Sequence, residues 1–89
     1  MELQLISGRF APADAEQILR DIFKVKIEFH ERKIRTLHQT EESIEHAEKR
    51  IHELQKTLRY VLSRIKEGGR EMVDLHAHIE LSLAEPITQ

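Results

Sequence analysis

There is no cysteine in this chain, and that one absence excludes a disulfide framework, a thiolate-ligated zinc site and a thiol nucleophile together. Tryptophan is absent as well, and three Phe and one Tyr are too few aromatics to make a row of stacking platforms for single-stranded nucleic acid. Glycine occurs three times and proline twice. Gly8 stands alone and Gly68-Gly69 follows a helical stretch, so no glycine-rich loop precedes a helix to cradle a phosphate. No apolar run approaches the roughly 20 residues needed to cross a bilayer, and no charged segment leads into an apolar one at the start. The expectation is a cytoplasmic protein with no membrane partner.

Catalytic signatures are missing too. Neither His-Glu-x-x-His nor the Glu-x-x-His pair of di-iron bundles occurs, and Ser7, Ser43, Ser63 and Ser82 lack a Gly-x-Ser-x-Gly context. The chain is read as a non-enzyme with no cofactor. Its 89 residues form one small domain that buries little more than half of its unfolded surface, and a chain of this size without covalent staples often oligomerises.

What is present is patterned. Glu2, Leu3, Gln4 and Leu5 alternate as a half-buried strand does, giving an N-terminal strand over residues 1–10. Pro12 suits a first helical position, and Asp14 and Glu16 complement the helix dipole, so helix 1 is expected over 12–37. At about 100° per residue its apolar side chains form two stripes. Ile18, Ile22, Val25 and Phe29 make one; Leu19, Phe23, Ile27, Ile34 and Leu37 make the other, with His30 in it.

Residues 38–43 read as a turn, with Thr40 a candidate N-cap before Glu41 and Glu42. Helix 2, expected over 44–67, carries one seam of Ile44, Ala47, Ile51, Leu54, Leu58, Val61 and Ile65. A continuous rod through residues 13–67 is the alternative to a hairpin, but two helices of matching length can bury each other's seams. Gly68-Gly69 stops the second helix. From Val73 the period becomes two, with Leu75, Ala77, Ile79, Leu81 and Leu83 alternating with polar residues, and a strand is expected over 72–83. The fold class is therefore α+β: an antiparallel helical hairpin or coiled coil whose flanking N- and C-terminal strands pair.

A helix apolar on two sides needs two coverings, and helix 2 supplies one. The function expected is a small interaction or assembly module, homo-oligomeric as a dimer or joined to another protein. Leu19, Phe23, Ile27, Ile34 and Leu37 are the expected interface.

Two alternatives rest on narrower features. His76 and His78 lie two residues apart on the polar face of the C-terminal strand with Glu80 in line, a spacing that could ligate Zn²⁺, Ni²⁺ or Cu²⁺. Lys24, Lys26, Arg32, Lys33 and Arg35 form the densest basic stretch, within 24–35, which could follow a phosphate backbone. Residues 20–66 hold 12 Lys and Arg against 8 Asp and Glu, a weak excess for such a role, so nucleic acid is not an expected partner.

Overall fold

Pro12 opens α1 (Pro12–Arg35), with Asp14 in the first turn and Arg32, Lys33 and Arg35 in the last, each charge opposing the nearer end of the helix dipole. α2 (Glu41–Glu67) starts at a side-chain cap, because the Thr40 hydroxyl accepts the Ser43 N–H at 3.0 Å. Strand β1 (Glu2–Phe10) precedes the helices and β2 (Val73–Glu80) follows them. This computed structural model describes residues 1–35 and 40–84.

The helices pack against each other, and the two strands pair antiparallel as a two-stranded ribbon. The expected α+β hairpin with paired terminal strands is the fold. Its boundaries differ in detail. α2 begins at Glu41 rather than at residue 44, since the Thr40 cap recruits Glu41, Glu42 and Ser43 into the first turn. β2 runs from Val73 to Glu80, shorter than the alternation of residues 72–83. The expected end of helix 1 at Leu37 and the first two turn residues, 38 and 39, lie outside the described residues.

α2 ends as its glycines require. Gly68 closes the helix, its N–H turned to the carbonyls of Arg64 and Ile65, and Gly69 follows at φ 65° and donates to Lys66 at 3.1 Å. That left-handed turn directs the chain back along β1.

Little of this architecture is buried. Among the described residues only Ala15, Ala47, Leu54 and Leu62 are buried apolar side chains. The reason is shape: the molecule is elongated, with extents of 53 × 31 × 14 Å. Its radius of gyration of 16.7 Å compares with about 12 Å for a compact chain of this length. Among the described residues the helical pair and the ribbon touch each other only near the ribbon's root, and no further element covers either.

Gly69→Ala puts a Cβ on a left-handed backbone, at a cost of roughly 1–2 kcal/mol. No atom lies within 4 Å of where that Cβ would sit, so the loss is backbone strain alone. Thermal unfolding followed by circular dichroism should show Tm lowered by about 4–8 °C for each kcal/mol lost. Gly68→Ala, at φ −72°, should lose less.

Candidate interaction surface

The ribbon has one apolar and one polar face because a bulge corrects its phase. Leu3 stands opposite Ile79 and Gln4 opposite His78, but the next partner pair is Ile6 with Ala77, so Leu5 is an extra residue. Beyond it the pairs are Ser7 with His76, Gly8 with Leu75, Arg9 with Asp74 and Phe10 with Val73. The bulge moves Ile6, Gly8 and Phe10 onto the side of Leu3, facing Val73, Leu75, Ala77 and Ile79. Strict alternation from Leu3 through Leu5 would have put them on the polar side. At the free end of the ribbon Leu3 and Ile79 stay 45% and 44% exposed.

At its other end the ribbon joins the helices around an open cavity of about 330 Å³, walled by Leu19, Val61 and Ile65 from the helices and by Met72, Val73 and Leu75. Leu19 therefore faces α2. His30 faces it as well, since Arg50 and His46 of α2 lie close enough to act on its charge. Phe23, Ile27 and Ile34 share this stripe and are half-buried. Thus the stripe expected to meet a partner is turned toward α2, and Leu37, its last member, lies outside the described residues. The open stripe is the other one, with Val25 65% and Phe29 47% exposed, while Ile18 and Ile22 are half-buried.

On the polar face the Arg9 guanidinium binds the Asp74 carboxylate at 2.8 Å, and Ser7 Oγ lies 3.2 Å from His76 Nδ1. The hydrogen bond and charge of Arg9 hold the Asp74 carboxyl below the usual carboxylate range. Both groups are open to water, so this pair adds little stability and serves mainly to mark the register of β1 on β2.

His76, His78 and Glu80 share the polar face as the period of two requires. Their cross-strand neighbours are Ser7, Gln4 and Glu2. Among the described residues no three His, Asp or Glu side chains come together as a metal-holding group. One chain brings these candidate ligands into line but not around a common point. The basic stretch is also dispersed: at 100° per residue Lys24, Lys26, Arg32, Lys33 and Arg35 point to several sides of α1. Arg35 lies 3.7 Å from Glu31, and the Lys33 ammonium sits 5.0 Å from the centre of the Phe29 ring. No helix among the described residues is long and apolar enough to cross a membrane.

His30 is altered by helix pairing. Desolvation lowers its pKa first, and the positive charges of Lys33, Arg50, Lys26 and His46 lower it further. The unfolded chain therefore binds this proton more readily than the folded one. The stability His30 permits is fully present above about pH 6.5 and is lost as pH falls below that value. Thermal scans from pH 7.5 to 5 should show Tm falling, with a shallower fall in His30→Gln.

The chain matches no protein-family model, no curated protein and no solved structure.

Proposed function

We propose that this protein is a non-enzymatic assembly module that works as a homodimer, a second copy covering the apolar side chains that its helical pair and ribbon leave open. One quantity carries the reading. The chain exposes 7747 Å², whereas a compact monomer of 10.5 kDa exposes roughly 5,400 Å². The excess is roughly 2,300 Å² per chain, within the range that obligate homodimers bury on each partner.

Composition and location support the same reading. The exposed surface includes Val25 and Phe29 on α1, and Leu3, Ile79 and Leu81 at the end of the ribbon, where a soluble monomer would carry polar side chains. Neither stripe of α1 is surplus in a dimer: the stripe containing Leu19, Phe23, Ile27 and Ile34 holds α2, and that containing Val25 and Phe29 meets the second copy.

Light scattering on the wild-type chain at micromolar concentration should give twice 10.5 kDa. Val25→Glu with Phe29→Glu should halve that mass. If dissociation also unfolds the chain, the wild-type Tm should rise with chain concentration. Phe23→Glu with Ile27→Glu should abolish helical circular dichroism, because that stripe holds the helical pair together. A wild-type mass of one chain, with a Tm independent of concentration, would overturn the reading.

A further inference from the structure

The two edges of the ribbon are not equivalent, and the difference locates a contact between copies. Met1 and Leu81 exchange both backbone hydrogen bonds, the Met1 amino group donating to the Leu81 carbonyl at 3.0 Å and the Leu81 N–H donating to Met1 at 2.8 Å. In an antiparallel ladder the inward and outward directions alternate along each strand. Val73, Leu75, Ala77 and Ile79 therefore turn their N–H and C=O groups to β1, while Asp74, His76, His78 and Glu80 present theirs outward. β2 has no bulge, proline or lysine along this edge. β1 is interrupted at Leu5, one of the devices by which native sheets blunt an edge.

We propose that the free edge of β2 pairs with the same edge of a second copy, antiparallel about a two-fold axis at His76, joining two ribbons into a four-stranded sheet. This rests on the homodimer reading and assigns its seam. The register follows from three constraints. Outward-facing residues must meet outward-facing residues, apolar faces must coincide, and as much of each strand as possible must pair. Two registers meet all three, one placing His76 opposite His76 and the other placing His76 opposite His78.

Charge separates them. The second register sets Asp74 against Glu80 of the other copy, twice, which is unfavourable for directly opposed like charges. The first sets Asp74 against His78 instead. It also brings Ile79 of one copy beside Val73 of the other, and Val73 lines the open cavity at the root of the helices. Each exposed ribbon end thus lies next to the cavity of the opposite copy. Beyond Glu80, the exposed Leu81 and Leu83 continue the apolar alternation toward the helices of that copy.

The absence of native cysteine makes the register directly readable. Oxidation of His76→Cys should give a disulfide-linked dimer, since the Cα separation of about 5.5 Å in a hydrogen-bonded antiparallel pair lies within disulfide geometry. Ile79→Cys should remain uncrosslinked, its residue lying opposite position 73 of the other copy. His76→Pro removes an outward N–H without touching the β1 ladder and should weaken dimerisation at least tenfold in dilution-dependent light scattering. Ser7→Pro, at an outward position on β1, should leave it unchanged.

A wild-type dimer that neither crosslinks at position 76 nor weakens with His76→Pro would overturn the seam and leave the homodimer reading standing. A wild-type monomer would overturn both. If His76→Pro loses its helical signal, the crosslinking result decides.

Discussion

Two helices and one two-stranded ribbon give most side chains neighbours on one or two sides instead of all round, and the small core follows from that limit. α1 and α2 can bury only what lies directly between them, which explains why the buried set is two alanines and two leucines. Ala15, Ala47, Leu54 and Leu62 are the apolar side chains most fully covered among the described residues. The remaining seam side chains of α2, including Ile51, Leu58, Val61 and Ile65, are half-covered.

The ribbon faces the same limit more severely. Two strands alone are marginal in water, and this pair is held by its ladder and by its junction with the helices near Leu19 and Val73. The hairpin brings β1 and β2 together, so ribbon and helical pair depend on each other. Release of β2 would expose the cavity wall at Val73 and Leu75, and separation of the helices would pull the strands apart.

Much of this was legible in the residues. The three-and-four spacing from Ile44 to Ile65, the Thr40 cap, the glycine stop and the period of two after Val73 each have a local cause, and each appears in the fold. Two features were hidden. The bulge at Leu5 is a property of pairing: the adjacent Leu5 and Ile6 mark a change of phase in β1, but only the partner strand shows which residue is left unpaired. The choice between the stripes of α1 was hidden as well: the sequence reading gave the stripe of Leu19 to a partner, because both stripes have the apolar content to meet α2 and only the three-dimensional position of Leu19 and His30 distinguishes them. The histidine spacing correctly placed His76 and His78 on one face, but a strand separates alternate side chains by nearly 7 Å and does not converge them.

The bulge has a consequence for assembly as well as for phase. A ribbon with two equally receptive edges could add neighbours on both sides and grow without end, as filaments do. Under the proposed pairing, one regular edge and one interrupted edge would give each chain a single valence for strand pairing. A two-fold contact through that edge satisfies both participants at once, so growth by this route terminates at a closed pair. In the proposed dimer the extra residue at Leu5 would be the difference between a finite particle and a polymer.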